Sequence, residues 1–135
     1  MHKLYYILLC LTFLSCGSGT FIDDPDTWNK VFGEETPNEI EVLNSRFWKS
    51  GHWTYEFELF AKLQSEKDFI KEYFIDKYSL SQYEIHATVY LEDIPNWFVE
   101  KSNSKNYEVW KGGPNSITLY VHKNKNITYL HVLQL

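Results

Sequence analysis

Four of the five histidines, the one arginine, two closely spaced glutamates and one of the two cysteines hold the reactive chemistry of this sequence. His52, His86, His122 and His131 form no His-x-His or His-x-x-x-His pair. On one face of a C-terminal hairpin, His122 and His131 would stand roughly 13 Å apart. That is too far to share a zinc ion whose bonds are near 2 Å. Glu56 and Glu58 alternate on one strand, where a pair of carboxylates could act as acid and base, but alternate glutamates are also what a solvated strand face carries. The sequence has no Gly-x-Ser-x-Gly elbow. Gly112-Gly113-Pro114 lacks the lysine and the following helix of a phosphate loop. Arg46 falls among aromatics, where a guanidinium must pair with a carboxylate or stack on a ring such as Tyr55 or Phe57. Neither a metal nor a cofactor is expected, and the chain reads as non-enzymatic.

Cys16 is different, because of what precedes it. Leu4 to Leu14 is an apolar run of eleven residues after His2 and Lys3. A bilayer crossing needs about 20 such residues, whereas secretory signals carry roughly 7–15. The run ends in Phe13-Leu14-Ser15-Cys16, which resembles the lipobox of bacterial lipoproteins, with Phe13 where the family most often has Leu. The resemblance implies that residues 1–15 are a cleaved signal peptide and that Cys16 is acylated. Each buried methylene of the chains adds about 0.8 kcal/mol to membrane retention. It places the protein on the bacterial cell envelope, with the outer membrane as the expected host. Cys10 leaves with the signal, so no disulfide forms within the remaining chain. Asn126-Ile127-Thr128 carries little weight as a glycosylation acceptor in that setting.

Cleavage removes Lys3 and no acid, so the remaining chain is one unit more negative than the −5 of the full sequence. An acidic surface argues against nucleic acid, which needs clustered Lys and Arg. Nine Phe, ten Tyr and five Trp give a short chain large rings with which to build a core.

The elements that hold these residues follow from periodicity. Residues 16–23 read as a flexible tether, and residues 24–135 as a single domain. "DPDTWNKVFG" reads as a two-turn helix, with Asp24 as cap, Pro25 in the first turn, Gly33 at the end and Trp28, Val31 and Phe32 inward. Residues 39–64 read as a hairpin turning at Ser50-Gly51. Trp48 would then face Trp53, Arg46 face Tyr55, Val42 face Leu59 and Ile40 face Ala61, with Phe60 outward. "QSEKDFIKEYFIDKY" reads as the main helix, capped by Ser65, with Phe69, Ile70, Tyr73, Phe74 and Tyr78 as its apolar stripe. A strand over 83–91, a helical turn in "DIPNWFV" and a short strand at "YEVW" follow. The last hairpin turns on "KNKN", pairing Leu119 with Leu130, Ile117 with Val132 and Val121 with Thr128. The fold class expected is α+β: an antiparallel sheet of four to five strands, one main helix packed on a face and a short N-terminal helix.

The last hairpin's other face carries Tyr120, His122, Ile127, Tyr129, His131 and Leu133. Either another layer of the same chain, such as the first helix with Trp28, covers it, or it is an exposed, Tyr-rich partner face centred on Tyr120, His122, Tyr129 and His131. "DDPDTWNKVFG" and "SRFWKSGHWTYEFELF" are similar to segments of small bacterial lipoproteins of unknown function, which supply no activity. The function expected is therefore a lipid-anchored envelope protein with a structural or protein-binding domain. Its partners are the membrane, through acyl chains, and another envelope or secreted protein. The alternative is an immunity or inhibitor lipoprotein against a secreted toxin or enzyme.

Overall fold

The computed structural model describes residues 17–51, 54–84, 93–99 and 105–135. Cys16, His52, Trp53 and His86 lie outside the described residues, as does most of the strand expected over 83–91. The elements are β1 (Gly19–Ile22), α1 (Thr27–Phe32), β2 (Glu41–Lys49), β3 (Phe57–Gln64), α2 (Lys67–Lys71, running on as a π-helix over Glu72–Asp76), β4 (Ser81–Tyr83), β5 (Tyr107–Gly112), β6 (Ile117–His122) and β7 (Ile127–Gln134).

The strands form one seven-stranded sheet in the order β1-β2-β3-β7-β6-β5-β4, antiparallel throughout. This corrects the expected α+β fold of four to five strands with a main helix packed on a face. The described residues are mostly sheet, and the one substantial helix among them runs for ten residues, from Lys67 to Asp76. Helical periodicity over 65–78 overstated that element. Ser65 does not cap it; its hydroxyl is buried without a partner among the described residues, and its amide donates to the Asn126 carbonyl at 3.1 Å. Midway the winding loosens to a π-helix, and an i→i−5 bond from Leu80 to Ile75 closes its end.

The expected tether supplies β1. Gly19 to Ile22 pair with Lys49 to Arg46, and Phe21 packs on Phe47 with ring centroids 6.1 Å apart. Gly and Ser predict freedom, but an edge strand needs only backbone groups to pair and one side chain to bury.

The first hairpin is longer-looped than expected. Ser50 to Glu56 form the connection, closed by Ser50 N–H to the Glu56 carbonyl at 2.9 Å and Ser50 Oγ to the Thr54 carbonyl at 3.0 Å. Lys49 therefore faces Phe57, Phe47 faces Leu59 and Arg46 faces Phe60, with a bulge between Val42 and Asn44. The slip is an odd number of residues, so Arg46 changes face relative to the expected pairing. The second hairpin has the expected register: Ile117 pairs with Val132, Leu119 with Leu130 and Val121 with Thr128.

One face of the sheet, the inner face, joins Phe47, Phe57, Leu59, Leu63, Leu119 and Leu130 to Trp28, Ile70 and Phe74 in the main core. Both Trp28 and Gly33 behave as the sequence suggests. Trp28 is buried, and Gly33 ends α1 in the left-handed region at φ 71°.

The outer face is also covered. Phe60 is fully buried there, beneath Phe98 at 5.0 Å. Phe98 also stands edge-on to Tyr120 at 5.8 Å and to Tyr129 at 5.4 Å. The cover over the last hairpin is thus the segment around Phe98; Trp28 lies on the opposite side.

Candidate functional site

Strand pairing draws one row of residues across the outer face of all seven strands. It runs Ile22, Arg46, Phe60, His131, Thr118, Lys111, Ser81. The neighbouring row, two residues along each strand, holds Thr20, Trp48, Glu58 and Leu133. Where the rows meet the β1 edge, Thr20, Arg46, Trp48, Glu58 and Asp93 line a cleft of about 340 Å³. This is at the small end of the range for small-molecule sites, roughly 300–1,000 Å³.

Arg46 is the sequence's sole arginine. Its guanidinium lies 4.9 Å from the Phe60 ring. Nη1 donates to Asp93 Oδ2 at 3.2 Å, and Nη2 to the Asp93 carbonyl. The sequence required Arg46 to pair with a carboxylate or stack on a ring such as Tyr55 or Phe57; it does both, pairing with Asp93 and lying over Phe60 instead. Asp93 holds a left-handed backbone at φ 54°. So does Asp23 at φ 48°, which ends β1 by exchanging hydrogen bonds with Ser45 at 2.9 and 2.7 Å. Two non-glycine residues in that region flank one arginine.

On the other side of the cleft, His131 Nε2 donates to Glu58 Oε1 at 2.9 Å. The imidazole is buried and lies 4.7 Å from the Phe60 ring. Glu58 lines the cleft and His131 stands behind it, so the histidine positions the carboxylate. Glu56, the other half of the expected glutamate pair, lies in the loop and accepts from Thr54 Oγ1 at 3.0 Å.

Burial holds His131 below the ordinary histidine pKa, and the hydrogen bond to Glu58 works against that shift. The unfolded chain keeps the ordinary value near 6.5, so it takes up the proton first as pH falls. The stabilisation is complete above that value and is lost as pH drops toward the folded-state value. The melting temperature should fall from pH 7 to pH 5, and His131→Gln should flatten the slope. An unaltered slope in the variant would exclude this origin.

The four expected partner-face residues separate. Tyr120 and Tyr129 are half-buried against Phe98. His122 sits at the hairpin tip, where Nδ1 accepts the Asn124 amide at 3.0 Å and the ring meets Tyr107 at 5.1 Å. His131 belongs to the cleft's rear wall. Among the described residues no three His, Cys, Asp or Glu side chains group as a metal site. Sequence reasoning missed Asp93 and Trp48. The first comes from a distant segment, and the shorter turn expected from Ser50-Gly51 puts the second on the inward face.

A second cavity of about 300 Å³ lies beneath α1, lined among others by Asp23, Thr27, Trp28 and Ala61. Thr27 Oγ1 and Trp28 Nε1 are buried there without a partner among the described residues. Those two atoms are sealed from solvent, so neither is presented to a ligand in the cavity.

No family model matches the chain, and no curated protein or solved structure matches it.

Proposed function

We propose that the protein is a lipid-anchored envelope protein whose domain binds another protein without chemistry of its own. The observation that carries this reading is the composition of the β1–β2 corner. Trp48 and Ile22 are exposed at 40% and 61%, and both share the outer face with Arg46. Trp and Arg dominate the energetics of protein interfaces, while large exposed apolar side chains set side by side mark contact sites. His131 supports the non-catalytic reading, since its Nε2 is committed to Glu58 and its ring is enclosed.

The anchor rests on the Phe13-Leu14-Ser15-Cys16 motif. Cys16→Ser should leave an uncleaved precursor or release the protein from membranes. A mature-sized, membrane-bound variant would refute the anchor. For the binding corner, a photo-crosslinking residue at position 48 should give an adduct in cells that position 35, on the exposed loop, does not. Equal labelling at both positions, or none at 48, removes the corner as the interface.

A further inference from the structure

Arg46 and Asp93 are mismatched partners. The arginine side chain is 18% exposed and the aspartate side chain 92%. A largely desolvated guanidinium needs an anion, because burying it unpaired is costly. A carboxylate left in water pays little to leave, since exposed pairs are held weakly. Asp93 also meets Arg46 from a left-handed backbone, a conformation that stores strain in a non-glycine residue. Asp93 thus occupies the guanidinium as a tethered, replaceable anion.

We infer that the cleft takes the C-terminal carboxylate of the partner polypeptide, with Arg46 exchanging Asp93 for it. The chemistry around Arg46 defines the rest of the ligand. Ile22 lies beside Arg46 on the neighbouring strand, about 5 Å away, and Trp48 lies two residues along the same strand, about 7 Å away. Both are exposed; Trp48 lines the cleft and Ile22 stands beside it, so together they offer apolar surface to the terminal side chain, which should be aliphatic. Glu58, held by His131, stands diagonally across from Arg46 and can accept the amide N–H of the terminal residue. It also repels a second carboxylate, so an acidic terminal side chain is disfavoured. Arginine suits this task because its planar fork takes both oxygens of a carboxylate.

The inference rests on the corner being the binding site, as proposed above, and the tests keep the two apart. A chain with one arginine gives one side-chain Nε–Hε resonance, so the full-length protein in detergent, labelled with nitrogen-15 arginine, reports on Arg46 without assignment. Titration with N-acetyl-Ala-Leu should shift that resonance saturably. The C-terminal amide of the same dipeptide should not, and acetate should bind at least tenfold more weakly. Asp93→Asn should tighten the dipeptide about tenfold, because it removes the internal competitor. Arg46→Lys should weaken it at least tenfold, with an unchanged melting temperature showing that the fold is intact. Equal binding of the amide, or no gain from Asp93→Asn, overturns the inference. A crosslink at position 48 that Arg46→Lys and excess dipeptide leave intact would keep the protein-binding reading and eliminate the carboxylate. Dipeptide binding without any crosslinked partner would do the reverse.

Discussion

Phe60→Ala is expected to lower stability by about 3–5 kcal/mol, as much as Phe57→Ala on the other side of the sheet. Alternation along "YEFELFAKL" puts Phe60 on the polar side with Glu58 and Lys62, where truncation should cost within about 0.5 kcal/mol. The fold says otherwise. Phe60 is fully buried and touches Phe98, His131 and Arg46 at ring distances of 5.0, 4.7 and 4.9 Å. Truncation would open a cavity under Phe98 and leave the guanidinium without its aromatic support. Denaturant unfolding of both variants decides it. A small cost for Phe60→Ala beside a large one for Phe57→Ala would mean that the outer face has no apolar layer of its own.

Gly112→Ala should be the most damaging change among the glycines. Gly112 closes β5 at φ 150°, and a Cβ there would lie 3.1 Å from the Ser79 carbonyl oxygen and 3.3 Å from Leu80 Cα. Both are backbone atoms, so neither can swing aside. Gly33 is the control, with φ 71° and nothing within 4 Å of its would-be Cβ. Gly33→Ala should cost about 1–2 kcal/mol, the ordinary charge for a left-handed L-residue. Gly112→Ala adds a backbone displacement to a conformational strain of about 1–3 kcal/mol, and should unfold at clearly lower denaturant. Equal midpoints would show that the β5–β6 turn moves freely away from Ser79 and Leu80.

The sequence was legible where turn chemistry and alternation agree. "KNKN" leaves a single sensible tip for the last hairpin, and both flanking runs alternate, so the register of β6 and β7 follows. The first hairpin misleads because Ser50-Gly51 resembles a tight turn while the chain continues to Glu56 before pairing. That difference shifts Arg46 to the opposite face and, with it, the cleft. Strand β1 was invisible because "GSGTFID" carries no alternating stripe; only its pairing with β2 defines it. Asp93 reaches Arg46 across 47 positions of sequence, a contact without local signal. Burial on both faces is the reason alternation failed at Phe60. A covered sheet loses the polar side that the pattern depends on.

If the chain is anchored as proposed, the early start of β1 also sets how far the domain can stand from a membrane. With Cys16 acylated, only Gly17 and Ser18 separate the anchor from the first paired residue. Three residues of extended chain span at most about 10 Å, whereas the eight residues of a tether over 16–23 would allow roughly 28 Å. Under the proposed anchor, so short a leash would keep the sheet from swinging freely above the bilayer. The β1 edge would be held close to the lipid headgroups, and the cleft beside it would open in that same thin layer. A partner confined to the membrane surface would then meet the cleft at high effective concentration, while one arriving from bulk solution would have to enter the crowded space between domain and lipid. A protein so anchored would select partners by where they reside before Arg46, Trp48 or Ile22 makes contact.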